Sequence, residues 1–123
     1  NTTLVTSPGM MKYHPGSVKA WVSCGVAADI QQSYNVASLT DTNTGIVTVT
    51  YTTAQSAATY CVVVSCEEIS SGPTLAVSGV RTPKVLLSSR ATGSVKLHCM
   101  DHTATSNLDK DPTTWHAIVM GDL

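Results

Sequence analysis

The side chains whose types and spacing come nearest to a metal site are a pair of histidines. His98 and His102 stand four residues apart in "HCMDH". On a straight strand this spacing puts both rings on one face but about 13 Å apart, which is too far for a single metal ion. Only a bend at Asp101, or ligands from several chains, would complete a site. We therefore predict polar histidines at a strand end and no bound metal.

A calcium loop is the second candidate for chemistry. Asp41, Asn43 and Gly45 have the spacing that opens such a loop, but no bidentate Glu follows at the required distance. Turn chemistry accounts for all three residues, because Asp and Asn bond nearby backbone and Gly adopts the left-handed conformation. The sequence predicts a turn here and no cofactor.

Catalytic groups are equally sparse. Glu67 and Glu68 are adjacent, so on a strand they face opposite sides and cannot act as an acid and a base around one bond. Serines are abundant, but no G-x-S-x-G elbow marks one of them as a nucleophile. We predict a non-enzymatic protein without catalytic residues.

The four cysteines do not have the spacing of a disulfide or zinc framework. In "YCVVVSC", Cys61 and Cys66 are separated by an odd number of residues, which puts them on opposite faces of one strand about 16 Å apart. No C-x-x-C pair is present. Together with Cys24 and Cys99, they are predicted to be reduced thiols, mostly buried.

Composition limits the classes of partner. The chain has 123 residues, the size of one domain, and its charged fraction of 12% is about half the usual one. Serine and threonine make up roughly a quarter of the residues, so hydroxyl groups must supply much of the polar surface. Such a surface suits sugars or other proteins. The net charge of -1 argues against a nucleic-acid partner, and no apolar run approaches the roughly 20 residues that membrane insertion needs.

The elements that carry these residues are predicted to be strands. The clearest is a hairpin in "SLTDTNTGIVTVTYTT" (Ser38–Thr53), where Val47, Val49 and Tyr51 alternate with threonines. A second hairpin turn is predicted at Ala91–Gly93. The predicted strands are Val18–Cys24, Tyr34–Leu39, Ile46–Thr53, Tyr60–Glu67, Lys84–Arg90, Val95–Asp101 and Trp115–Gly121, with an eighth as an alternative at Leu75–Val80.

Seven or eight short strands predict an all-β fold, and a single antiparallel β-sandwich is preferred over a barrel. The stretch "AADIQQSY" (Ala27–Tyr34) is read as a helical turn too short to change this class.

Two segments resemble a known family. "HPGSVKAWV" (His14–Val22) is followed by "SYNVASLTDTNTGIVTVTYTTAQSAATYCVVVS" (Ser33–Ser65). They are similar to the C-terminal domain of bacteriophage and prophage tail fibres, with a Lys-Ala-Trp-Val strand, a Phe-Asn-Val strand, an Asp-x-x-x-Gly hairpin and a Tyr-x-Val-Val strand. The matching positions are Pro15, Lys19, Ala20, Trp21, Val22, Tyr34, Asn35, Val36, Asp41, Gly45, Tyr60, Val62 and Val63. The resemblance covers about the first half of the chain.

This resemblance implies a non-enzymatic homotrimer at the tip of a tail fibre. Residues 1–17 are then an extended leader from a missing fibre shaft, and residues 18–123 are the β-sandwich tip domain. The implied partner is a bacterial surface glycan or an outer-membrane protein, and the implied location is the virion tail fibre, assembled in the reducing host cytoplasm. The alternative is a structural module that trimerises and caps the fibre while recognition is carried elsewhere.

Long polar segments are the predicted receptor-binding region. The segments 68–83 and 101–114 are far longer than ordinary hairpin connections. If the predicted strands simply alternate in direction, both segments lie at the end of the domain where the first strand begins. The candidate receptor-binding residues offer hydrogen-bond donors and acceptors to sugar hydroxyls. They are Ser71, Thr105, Ser106, Asn107, Asp109 and Lys110.

Two further features remain open between roles. The turns near Ala27–Gln32 and Ala91–Gly93 are the alternative recognition sites. Trp21 and Trp115 are expected to pack in the core or between protomers, with a sugar-stacking platform as the alternative.

Overall fold

The fold is described here from a computed structural model, which covers residues 9, 14, 16–67, 80–86, 88–102 and 107–121. Within these residues the chain forms nine strands. They are β1 (Val18–Gly25), β2 (Ile30–Tyr34), β3 (Val36–Asn43), β4 (Ile46–Tyr51), β5 (Cys61–Glu67), β6 (Val80–Val85), β7 (Ser94–His102), β8 (Asn107–Asp109) and β9 (Thr114–Met120).

Eight of these strands form two four-stranded antiparallel sheets. Sheet A has the order β2-β1-β9-β5, and sheet B has the order β3-β4-β7-β6. The short β8 pairs with residues 100–102 of β7, beyond the point where β4 begins. The two sheets face each other across one core, so the predicted all-β sandwich is confirmed. No helix in the described residues is long and apolar enough to cross a membrane.

The core follows from strict alternation along the central strands. On β4, Val47, Val49 and Tyr51 are buried, while the residues between them are only half-buried. Strands β1, β7 and β9 each contribute three buried side chains to the core, also at alternating positions. These are Ala20, Val22 and Cys24 from β1, Val95, Leu97 and Cys99 from β7, and Trp115, Ala117 and Val119 from β9.

Asn35 carries the chain from sheet A to sheet B. Its φ of 55° lies in the left-handed region, which Asn tolerates better than most residues. Its Nδ2 donates to the carbonyl oxygens of Lys19 and Thr53, each at 3.0 Å. Lys19 lies at the start of β1, and Thr53 follows the end of β4. We call this the near end of the domain; the far end is where β1 finishes, at Gly25.

The predicted single strand Tyr34–Leu39 is therefore wrong, as is the helical turn at Ala27–Tyr34. Asn35 divides the region into β2 and β3, which belong to different sheets. All five residues of β2, which is an edge strand, are exposed. One more strand than expected reverses the direction of β3 to β7 and of β9 relative to the seven predicted strands.

This reversal moves the residues that flank the long segments to the other end of the domain. Glu67, which precedes 68–79, pairs with Thr114, and Thr114 also pairs with Gly25 at the far end. Val80, which follows that segment, pairs with His102 at the far end of sheet B. The expectation that both segments lie where the first strand begins is contradicted for the residues that flank them.

The second half contains two further corrections. The predicted strand Lys84–Arg90 is in fact β6, which ends at Val85. Pro83 argues against a strand in the sequence, because Pro lacks the N–H that a strand donates to its neighbour. An edge strand such as β6 tolerates a proline. The alternative strand Leu75–Val80 lies outside the described residues except for its last one. The predicted turn is confirmed: Ala91 N donates to Ser94 O at 2.9 Å.

Gly45 in the β3–β4 turn adopts the predicted left-handed conformation, with φ of 74°. Replacing it by Ala is expected to lower the free energy of unfolding by about 2 kcal/mol. An added Cβ would lie 2.6 Å from the carbonyl oxygen of Cys99 and 2.8 Å from the nitrogen of Lys110. Urea denaturation measures this cost.

The matched control is Gly93→Ala, where an added Cβ meets no heavy atom within 4 Å. Equal losses for the two variants would show that the close approach at Gly45 does not matter.

Candidate functional site

The outer surface of sheet A is apolar in the half that lies toward the near end of the domain. Register places Tyr34, Trp21, Ile118 and Val63 side by side across all four strands. Val18 lies beside this row on β1. We call these five residues the apolar face. Tyr34, Val63, Val18 and Ile118 are between 42% and 54% exposed, although each is a large hydrophobic residue.

The apolar face is large for a surface that only water contacts. From these exposures its area is on the order of 400 Å², within the range of the largest apolar patches on monomers, which often mark interaction sites. A groove of about 280 Å³ runs between β1 and β9, lined by Val18, Trp21 and Ile118. The groove has room for side chains from a second molecule.

The two tryptophans differ sharply in environment. Trp115 is 1% exposed and fills the core, which confirms the packing role for this residue. Trp21 is half-buried, points away from the core and belongs to the apolar face. The sugar-platform alternative therefore applies to Trp21 alone.

Toward the far end the same outer surface becomes polar. Gln32, Ser23, His116 and Ser65 form the next row across the four strands. His116 Nε2 lies 3.3 Å from a carboxylate oxygen of Glu67. The apolar face therefore ends before this row. Two further hydrophobic residues, Ile30 and Val26, are 40% and 52% exposed at the far end, but they are separate from the apolar face.

The outer surface of sheet B is different throughout. Its exposed or half-buried positions are mainly hydroxyl side chains, and Thr42 and Thr48 bond each other at 2.8 Å. Thr40 faces Thr48 across the β3–β4 ladder, and Lys96 faces Thr48 on the other side. The sandwich thus has one apolar outer surface and one hydroxyl-rich outer surface.

At the far end, hydrogen bonds join β7, β8 and the β3–β4 turn. His98 Nε2 lies 2.7 Å from Asp109 Oδ1, which accepts the hydrogen bond. Gly45 N donates to Asp111 Oδ1 at 2.6 Å. Arg81 and Asp101 form an ion pair at 3.3 Å with both side chains mostly buried. These contacts give the far end a defined shape.

Three of the predicted receptor-binding residues lie in this region. Asn107 begins β8, Asp109 ends it, and Lys110 follows with its N–H bonded to Cys99 O at 3.2 Å. The structure therefore brings these three together, with Asn107 and Asp109 on a short strand and Lys110 directly after it, rather than on a long irregular loop. No sequence pattern indicates the pairing of β8 with β7 or the contact between His98 and Asp109. The candidates Ser71, Thr105 and Ser106 lie outside the described residues.

The two alternative recognition turns lie at opposite ends. The turn after β1, with Ala28 at φ 59°, is at the far end, and Gly25 N bonds Asp29 O there at 2.9 Å. The Ala91–Gly93 turn is at the near end, because Gly93 O accepts a hydrogen bond from Tyr51 N. Only the first turn lies at the same end of the domain as the predicted recognition residues.

Both histidines of the pair lie on β7. His98 lies on the outer side of sheet B and is bonded to Asp109, and His102 ends the strand. Over the part of the chain that the structure describes, no three His, Cys, Asp or Glu side chains are grouped as a metal site requires.

The four cysteines are thiols and not disulfides in the structure, and Cys61 and Cys66 lie on opposite faces of β5 as expected. Cys24 and Cys99 are completely buried, whereas Cys61 is exposed. Burial, reinforced by the nearby charge of Asp29, raises the pKa of Cys24 from 9.0 to about 11.

Native thiol labelling at pH 8 should therefore separate the cysteines. Cys61 is expected to react at once, and Cys24 and Cys99 more than about 100-fold more slowly, because their labelling requires opening of the core. Mass spectrometry of time points identifies each site. The folded protein favours the neutral thiol of Cys24. The folding free energy that this burial contributes is therefore fully present below pH 9.0 and is lost as the pH rises toward about 11. Equal labelling rates at pH 8 would contradict the buried placement.

Comparison with protein families, curated proteins and solved structures yields no match to this chain.

Proposed function

We propose that this domain is a non-enzymatic tip of a phage tail fibre that binds the bacterial host surface as a homotrimer. The proposal starts from the tail-fibre resemblance of residues 14–65. Its partner is a surface glycan or an outer-membrane protein, and its location is the virion tail fibre. The function requires a surface that assembles copies and a separate surface that remains free for the host.

The division of the outer surface is the observation that supports the proposal most. The apolar face lies on sheet A in the half near Val18, where the chain enters the sandwich. The recognition candidates Asn107, Asp109 and Lys110 lie at the far end. Three copies that assemble through the near half would leave the far end of each copy pointing away from a shaft.

The occupant that we assign to the apolar face is another copy of this chain. The five residues of the face are uncharged, so identical copies meet there without like-charge repulsion. Around a three-fold axis each copy contacts two neighbours, and an apolar centre of roughly 400 Å² with a polar rim suits such a shared interface. The described residues on the hydroxyl-rich surface of sheet B form no comparable apolar centre.

A capping module remains the second candidate, and one observation favours it. The carboxylates of Asp109 and Asp111 are engaged by His98 and by the backbone of Gly45. Groups used to hold the far end together are less available to a receptor. A cap would keep the trimer without any affinity for cells.

A cell-binding assay separates the two candidates. The purified domain, fused to a fluorescent protein, is mixed with a panel of bacteria that differ in surface polysaccharide and outer-membrane proteins. The tip function requires strong binding to a subset of the strains and none to the rest. A folded trimer that binds no strain in a broad panel would favour the capping module and count against the proposal.

A further inference from the structure

A cleft at the near end lies between the edge strands of the two sheets. β5 forms the edge of sheet A, β6 forms the edge of sheet B, and the two leave a cavity of about 440 Å³ between them. Thr59 and Val62 contribute to one wall, and Val85, Ser88 and Arg90 to the other. The volume falls in the range of pockets that hold small ligands.

The lining combines three kinds of chemistry. Val62 and Val85 give an apolar surface, Thr59 and Ser88 give hydroxyl groups, and Arg90 gives a positive charge. The residues that line the cleft include no carboxylate, and none of the described acidic residues forms an ion pair with Arg90. The charge of Arg90 is therefore available to a ligand.

Arg90 is held in position by the wall of the cleft. Its Nη1 donates to the carbonyl oxygen of Tyr60 at 2.8 Å. Because a guanidinium has five N–H donors, most of them remain for a ligand. Tyr60 is itself fixed, since its hydroxyl lies 2.8 Å from Ala91 O and its ring meets that of Tyr51 edge to face. A cation held in this way loses little freedom on binding.

We infer that this cleft binds an acidic sugar, a pyranose that carries a carboxylate, such as a uronic acid unit of a surface glycan. Arg90 would pair with the carboxylate, in the bidentate manner that guanidinium favours. Thr59 and Ser88 would bond ring hydroxyls, and the valines would contact the C–H face. The choice of a sugar rests on the proposed host-surface function, but the site differs from the recognition candidates at the far end.

Titration with glucuronic acid, followed by calorimetry and by NMR, tests the inference. A single sugar of this size should bind with a Kd on the order of 1 mM. Glucose and acetate, which each carry only part of the ligand's chemistry, should bind at least about tenfold more weakly. Tightest binding by acetate or by inorganic phosphate would instead assign a simple anion site and overturn the sugar.

Arg90→Gln is expected to weaken glucuronic acid binding by about 10- to 100-fold, because it removes the charge-assisted pair. Lys84→Gln is the matched control: it removes an equal charge from an exposed position on β6, outside the cleft, and should change nothing. If Arg90→Gln does not fold, Arg90→Lys keeps the charge and should still weaken binding several-fold. Unchanged affinity in the folded Arg90 variant would overturn the inference.

The cleft is built by a single chain, so its failure is distinguishable from failure of the proposed function. A protein that binds glucuronic acid but no bacterial strain would retain the cleft and lose the adhesin. A protein that binds cells but not the acidic sugar would do the reverse.

Discussion

Ile118→Asp is expected to convert the proposed trimer into monomers. Ile118 lies on the central strand β9, in the middle of the row formed with Trp21 and Val63. In the proposed assembly its side chain leaves water, and three carboxylates would then be buried without partners. That penalty is several kcal/mol for each charge, so association should weaken by at least about 100-fold for each interface. Sedimentation velocity at a few concentrations detects the change in mass.

The fold should survive this substitution. Ile118 is 42% exposed in the single chain, so the carboxylate remains hydrated in the monomer. The loss of folding stability is expected to be about 1 kcal/mol, and the circular dichroism spectrum should stay that of a β protein.

Thr40→Asp is the control for the trimer experiment. It places the same charge on an exposed strand position, but on the outer side of sheet B. It should leave the mass unchanged. A wild-type mass for Ile118→Asp, or an equal effect of the two substitutions, would contradict the assignment of the apolar face.

If the domain binds bacteria as proposed, replacing Asn107, Asp109 and Lys110 together by Ala is expected to abolish that binding. The three residues lie within one short stretch at the far end. The three substitutions remove an amide, a carboxylate and an ammonium group at once. The assembled mass should not change, because the apolar face lies in the half of sheet A toward the near end. Flow cytometry with the fluorescent fusion measures the binding.

Stability needs a separate control in this experiment. Asp109 accepts a hydrogen bond from His98, so its loss should cost about 1 kcal/mol of folding free energy and lower the melting temperature slightly. The double variant Asn107→Ala/Lys110→Ala leaves that bond intact and should still lose most of the binding.

The near-end double variant Thr52→Ala/Thr92→Ala alters two exposed hydroxyls far from the site and should bind cells normally. Wild-type binding by the triple variant would move recognition elsewhere, with the far-end turn around Ala27–Asp29 the first alternative.

The sequence pattern predicted those strands that are buried on one side. β4 alternates valines with threonines because one of its faces packs in the core, and this period of two is legible without a structure. β2 has no such pattern, since all five of its residues are exposed. Without β2, the direction of the following strands is predicted wrongly, and the residues that flank the long segments are expected at the wrong end of the domain.

The apolar face could not be predicted from the sequence, because its residues are of the same types as those of the hydrophobic core. In β5, Val62, Val63 and Val64 are consecutive, and only the register with β9 shows that Val63 faces outward. Trp21 and Trp115 likewise differ in burial but not in any local motif. The contact between His98 and Asp109 depends on a hairpin whose strand β8 has only three residues, too short for periodicity to show.

The molar mass of the wild-type chain in solution tests the central claim most directly. If three copies assemble through the apolar face, sedimentation equilibrium over a wide concentration range should give about three times the 12.9 kDa of one chain. A mass of 12.9 kDa across that whole range would contradict the trimer and the account built on it.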